Sequence, residues 1–467
     1  MNDAVAIPEA APVREERAVP VRSRFDSIDI LRGLVMVVMA LDHTRDYFTD
    51  VRAYGPESLY ASSFALFLTR WITHFCAPTF VFLAGTGAFI FGFRVQSKKE
   101  LSWFLLSRGL WLVVLELTFV HWAWSFNLDF LHNGGAVIWA IGWSMVVLAG
   151  LVFLPTWAIT VFGVVMICVH NLFDKVTPDH FGSLGWLWAI LHAGGLAFEK
   201  QFGIHPDLAA GTVGLGASPF GAGPLSAIAS VIAKKSDTVA FGAGYPLIPW
   251  IGVMAAGYGF GQLFLLEPQV RRRWFLTIGL GLTVAFIVLR ASNTYGDRNP
   301  WSPPNEQGAQ QWQKDMEARH QPVPPRQMSD AEFTICSFLN CWKYPPSLLY
   351  LLMTLGPAIA SLAIFEGGLG WVGRFFVVFG RVPLFYYLLH LPLIHGLLIL
   401  TDLFRYGFSP YLSEACFADP KNRPLDYGYS LPVVYLIWMA VVLMLYPLCR
   451  WYGDFKRRHR SAWLSYL

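Results

Sequence analysis

The chain has 467 residues, 55% of them hydrophobic and 14% charged, with 41 glycines besides. A typical soluble domain is about 25% charged and less apolar, so this composition excludes a soluble globular fold. The net charge of +4 is small, and its basic residues collect at the ends of apolar runs, a pattern that sets membrane orientation rather than nucleic-acid binding.

Runs of about 20 apolar residues recur along the chain and predict an all-α, polytopic membrane bundle. Residues 1–24 are rich in Pro and Ala, mix Arg14 and Arg17 with Glu15 and Glu16, and have no apolar core. A cleavable signal peptide is therefore not expected. The segment reads as a disordered cytoplasmic tail, followed by a transmembrane domain over 25–455 whose first span is an uncleaved anchor. That span, 28–48, is unusual because charges sit at both ends: Asp29 and Arg32 at one, Asp42, His43, Arg45 and Asp46 at the other. Ionisable groups at such depths are costly and usually functional. On one helix Arg32 and His43 share a face about 16 Å apart along the axis. Asp46, three residues from His43, shares that face and is expected to orient the imidazole, whereas Asp42 lies about 100° around. Asp29 and Arg32 form an i, i+3 pair.

Span two, 64–93, is long, and a kink is expected at Pro78. The basic cluster Arg94, Lys98, Lys99 and Arg108 then marks the cytoplasm. Span three, 103–126, contains Glu116 and His121; spans four and five, 136–154 and 156–173, meet at Pro155. Residues 174–244 are expected outside, with 184–198 as an interfacial helix, because Arg271, Arg272 and Arg273 demand a cytoplasmic turn between spans six, 245–266, and seven, 274–291. The polar segment 292–345 is then external, and a Cys336–Cys341 disulfide is the expectation there. Span eight, 346–366, leads to a cytoplasmic turn before Arg374 and Arg381, and span nine, 375–401, carries His390 and His395. An external segment, 402–430, precedes span ten, 431–449, and 456–467 is a basic cytoplasmic tail. About ten spans with both termini in the cytoplasm satisfy every basic turn.

This topology puts Arg32 near the cytoplasmic face and His43, His74, His121, His390 and His395 in the outer halves of their spans. Imidazoles beside buried carboxylates suit proton handling. His43 is the first candidate base or nucleophile, with Asp42 and Asp46 beside it and His74 in reserve. His390 and Glu116 are candidates on the acceptor side. His390 and His395, five apart, point to different faces, so no shared metal is expected. Arg32, Arg374 and Arg381 are the cations able to grip phosphate near the cytoplasmic face.

The pattern S-x-D-x-x-R-G opening span one (Ser27, Asp29, Arg32, Gly33), followed by His74, Pro78, Phe80, Phe82, Leu83 and Gly85, resembles the catalytic domain of the heparan-alpha-glucosaminide N-acetyltransferase family and its bacterial membrane relatives. The likeness extends over most of the chain. It implies an inner-membrane acyltransferase using acetyl-CoA as co-substrate, a sugar or glycan acceptor, and the lipid bilayer as environment. A homo-oligomer is compatible with it. In those enzymes the active histidine lies in the loop before the second span, and the position aligned with His43 is an asparagine. Residues 49–73 here have no histidine, so His43 or His74 would replace it. Two other classes fit the same charges. A proton-coupled secondary transporter would use Asp42, His43, Asp46 and Glu116 as a relay, and a non-catalytic scaffold would use them for packing alone.

Overall fold

A computed structural model describes residues 25–49, 55–126, 130–201, 238–318, 323–409 and 426–459, with positions 128, 424, 461 and 464. The expected tail 1–24, residues 202–237 and the middle of 402–430 lie outside the described residues. Among those described, eight helices are long and apolar enough to cross a membrane, so the chain is an integral membrane protein built mainly of helices.

Helix α1 (Asp26–Phe48) is not among the eight, since its charges break the apolar window, yet its 23 residues reach about 34 Å. Most of it is buried on all sides. Helices α2 (Phe64–Thr73) and α3 (Cys76–Val95) follow. The break between them falls at His74 and Phe75, one turn before Pro78, where a proline kink is expected. Pro78 lies in the first turn of α3, and its missing N–H leaves the His74 carbonyl without the i→i−4 bond that would have continued α2 into α3. Helix α4 (Lys98–Leu115) passes through a π turn, Glu116–Val120, into α5 (His121–Ser125). Strand β1 (His132–Gly135) leads to α6 (Val137–Leu151) and α7 (Thr156–Val169).

The expected interfacial helix over 184–198 is a short α8 (Gly185–Trp188) closed by a π turn, Ala189–Ala193, after which the chain enters β2 (Gly195–Gln201). With β3 (Thr238–Ala243) this makes a three-stranded sheet, β1 parallel and β2 antiparallel to the central β3. The bundle is otherwise helical, as expected, and this small sheet is its one addition among the described residues. The strands are short and rich in glycine and alanine, so hydropathy alone gives them no signature.

Helices α9 (Leu247–Phe260), α10 (Pro268–Ser292), α11 (Glu306–Ala318), α12 (Asp330–Leu339) and α13 (Leu348–Phe365) come next. Cys336 and Cys341 are separate buried thiols, not a disulfide. Cys336 packs with Phe67, Met328 and Phe333, while Cys341 belongs to the main core. The expected span nine is two helices, α14 (Gly370–Gly380) and α15 (Pro383–Tyr406), and α16 (Leu431–Arg458) ends the bundle. Pro383 is the physical reason for that division: it favours a first helical turn and disfavours helix in the residue before it.

The apolar windows of α9 and α13 are 78% and 72% buried, against 22% for those of α7, α10 and α16, so the first pair is interior and the others line the rim. Two ends of the bundle are distinct. At one, Arg271 grips both oxygens of Glu366 at 2.9 and 2.8 Å, Ser27 reaches the same carboxylate, and Arg381 lies 4.0 Å from Asp26. At the other, Arg290 donates to the carbonyls of Ser337, Phe338, Asn340 and Asn299, and Asn171 accepts from the Leu348 amide at 2.8 Å. Helix α14 crosses the start of α1 so closely that a Cβ on Gly33 would meet the Phe376 carbonyl, and one on Gly380 that of Asp29.

Candidate functional site

Helix α1 supplies two different polar surroundings from neighbouring positions. Asp42 faces α2, where the Arg70 guanidinium donates to its two oxygens at 2.9 and 2.7 Å and Thr73 Oγ1 donates at 2.8 Å. Arg45 approaches Asp42 at 2.9 Å and also contacts Asp46. Arg70 Nε reaches Glu57 at 2.7 Å, and His74 Nε2 lies 3.6 Å from the same carboxylate. Burial alone would raise the Glu57 carboxyl, but Arg70 and His74 outweigh it and hold it well below the ordinary range. Lys343, also buried, sits within the field of Asp42 and Glu57; burial and Arg70 push its ammonium down to about 8 against their pull. Three cations (Arg45, Arg70, Lys343) thus meet three carboxylates (Asp42, Asp46, Glu57). Balance of this kind is what makes ion burial tolerable.

His43, one position on, turns away from this cluster. Its Nδ1 lies 2.7 Å from Nε2 of His390 on α15, and His390 Nδ1 lies 2.7 Å from the Tyr387 carbonyl. A carbonyl only accepts, so His390 must carry its proton on Nδ1 and its lone pair on Nε2. His43 Nδ1 must therefore donate, leaving His43 Nε2 as an open lone pair with no hydrogen-bond partner among the described residues. Trp124 packs edge-on against His43 at 4.9 Å, and its backbone carbonyl accepts from Tyr47 at 2.7 Å. The expectation that Asp46 orients His43 is corrected. Asp46 is engaged by Arg45, and a histidine 347 positions away does the orienting.

Below the pair lies a cavity of about 350 Å³ between α1, α3, α4, α6 and α15. Met39 and Tyr387 line it, four and three residues before His43 and His390, so the pair stands about one helical turn above its upper wall. The lining is apolar except near Arg32 and Arg108. Arg32 is 3.7 Å from Asp29, as the i, i+3 spacing anticipates, and 3.4 Å from the Gly380 carbonyl. Arg108 lies over the Phe104 ring at 4.2 Å.

The remaining candidates are distributed as follows. Arg381 is half-buried near Asp26 and Arg374 is exposed on α14; neither lines the cavity. Glu116, buried in the π turn, accepts from the Ile138 and Trp139 amides at 3.1 Å each, holding the start of α6. His74 is buried where α2 ends, with the Tyr350 hydroxyl on its carbonyl at 2.8 Å. His395 stacks between Tyr47 and Phe126, apart from the His43–His390 pair. Sequence reasoning missed Arg70, Glu57 and Lys343. Arg70, a lone arginine in an otherwise apolar helix, carried the signal that could have found it. Among known proteins, no family model and no curated sequence matches this chain.

Proposed function

We propose that the protein is a membrane-embedded acyltransferase that moves an acyl group, acetyl by the motif resemblance, from a CoA thioester to a sugar acceptor on the opposite side of a bacterial inner membrane. In this reading ten segments cross the bilayer, α1 and α6 included, and the arginine-rich end with both termini faces the cytoplasm. The observation that carries the proposal is the His43–His390 pair with its open Nε2, set one helical turn beyond Met39 and Tyr387 in the wall of an apolar cavity that also holds Arg32 and Arg108. The narrow pantetheine arm of acyl-CoA suits such a lining, and Arg32 and Arg108 would meet its phosphates in place of Arg374 and Arg381.

His43 Nε2 takes the proton of the acceptor hydroxyl or amine as the acceptor attacks the thioester carbonyl. The C–S bond breaks, and the imidazolium returns its proton to the departing thiolate. Attack by the same nitrogen on the thioester, through an acyl-imidazole, would use the same geometry. His390 positions the ring. His74, held beside the Glu57 carboxylate, is the second candidate for either role. The transporter alternative is weakened by Asp42, whose oxygens are taken by Arg70, Arg45 and Thr73, leaving a proton relay little carboxylate to run through.

The test is acetyl-CoA binding and thioester consumption by the purified protein in nanodiscs, with a panel of amino-sugar and glycan acceptors. Turnover that is lost in His43→Ala while CoA still binds supports the reading. A parent protein that neither binds CoA nor consumes its thioester overturns it, and solute uptake independent of CoA would favour transport.

A further inference from the structure

A second histidine cluster lies at the end of the bundle opposite Arg271 and plays no part in the acyl-transfer reading. His170 and Asp174 follow α7, four residues apart, and His192 comes from the π turn Ala189–Ala193. One ligand-capable atom from each lies within 4.8 Å of the other two. Both histidines are buried, at 3% and 1% exposure.

Their hydrogen bonding is incomplete in a specific way. His192 Nε2 donates to the His170 carbonyl at 3.0 Å, which fixes the tautomer and leaves the lone pair on Nδ1. That Nδ1 is buried without a hydrogen-bond partner, as are both ring nitrogens of His170, while Asp174 Oδ1 has an ion pair with Arg298 but no hydrogen bond. Burying a polar atom unsatisfied costs about 1–3 kcal/mol, so a cluster of this kind calls for a missing partner. The second atoms are already held. Asp174 Oδ2 accepts from Asn171 Nδ2 at 2.9 Å, and the Trp188 ring, anchored through its N–H to the Val176 carbonyl at 2.8 Å, stacks on His192. Arg298 Nε lies 3.1 Å from Asp174 Oδ1. This cation would lower the affinity for a dication without occupying the imidazoles.

We propose that His170, Asp174 and His192 bind one late first-row divalent metal ion, of which Zn²⁺ is the representative. Two imidazoles and a carboxylate suit zinc rather than calcium or magnesium, which prefer all-oxygen shells. Donors in a tetrahedral zinc site stand about 3.4 Å apart, so side-chain rotation of about an ångström closes this set. The backbone bond from His192 and the amide bond to Asp174 are outer-shell contacts of the sort that orient metal ligands. Three protein ligands leave a fourth position for water or an acceptor group.

The experiment uses the full chain without a histidine tag, stripped by chelator and held in nanodiscs, titrated with Zn²⁺ by calorimetry and analysed for bound metal after dialysis. One equivalent is expected, with a Zn²⁺-dependent rise in unfolding temperature. His170→Ala and His192→Ala should each weaken binding by about 100-fold, and Asp174→Asn, which keeps a side chain able to accept from Asn171, by at least about 10-fold. His180→Ala, at an exposed histidine bonded to Thr177, should change nothing. No retained equivalent in the parent, or equal affinity in all four variants, overturns the site. Should the alanine variants fail to fold, Asp174→Asn with wild-type affinity overturns it alone.

Discussion

Asp42 and His43 are consecutive, half-buried residues of α1, yet one is saturated with partners and the other keeps an atom free. The Asp42 oxygens accept from Arg70, Arg45 and Thr73, while His43 uses Nδ1 on His390 and leaves Nε2 open. The difference follows from the cost of each. An unpaired buried carboxylate is worth several kcal/mol of destabilisation, whereas a neutral imidazole with an unused lone pair costs far less. Charge is therefore confined to a balanced cluster, and reactivity is left on a neutral ring.

Removing Arg70 should break this contrast most severely. Arg70→Met removes the cation that Asp42 and Glu57 share, and a loss of about 3–5 kcal/mol is expected in thermal or denaturant unfolding. His43→Ala, which leaves the buried His390 Nε2 without its donor, should cost less in the same measurement, about 1–2 kcal/mol. Unfolding of the two variants at equal temperatures would erase the distinction. Activity should sort them the other way. His43→Ala is expected to lower acetyl-CoA turnover by about 10²- to 10⁴-fold, and His390→Phe by about 10-fold or more with KM little changed. A His43 variant that turns over like the parent moves the base elsewhere, with His74 next to test.

A smaller effect separates the cluster by pH. Lys343 titrates near 8 when folded and near 10.5 as an ordinary lysine, so between those values the unfolded chain binds more protons. Stability should therefore rise with pH across that window, by at most about 3 kcal/mol, and this component should be flat below it. Lys343→Met should remove that slope; a parent whose stability is level from pH 8 upward contradicts it. Smallest of all is Arg381→Ala, whose half-exposed side chain stands 4.0 Å from Asp26. It should cost under about 0.5 kcal/mol and leave CoA affinity alone, in contrast to Arg32→Ala, which is expected to weaken it.

Hydropathy was enough to reveal most of the bundle, because a run of some 20 apolar residues has few other uses. It failed where the run is continuous but the helix is not. Residues 375–401 look like one span, and only Pro383 marks the turn between α14 and α15. In span two the visible Pro78 was a sufficient signal, since the break falls one turn before it at His74. At the site, α1 announced itself through its charges, and His390 was singled out without its partner. The pairing of the two rings across 347 positions, and the convergence of Glu57, Arg70 and Lys343 from three segments, are products of packing with no local pattern. Local spacing favoured Asp46 as the partner of His43, but Arg45 claims that carboxylate first.

The hydrogen bonds of the two histidines run in one direction and stop. A proton arriving at His43 Nε2 can be shared with His390, whose own Nδ1 proton points at the Tyr387 carbonyl, a group that cannot carry it further. What enters at Nε2 must leave from Nε2. The pair is thus a terminus and not a wire: it can lend a proton within one reaction cycle, but it offers no path for current across the membrane.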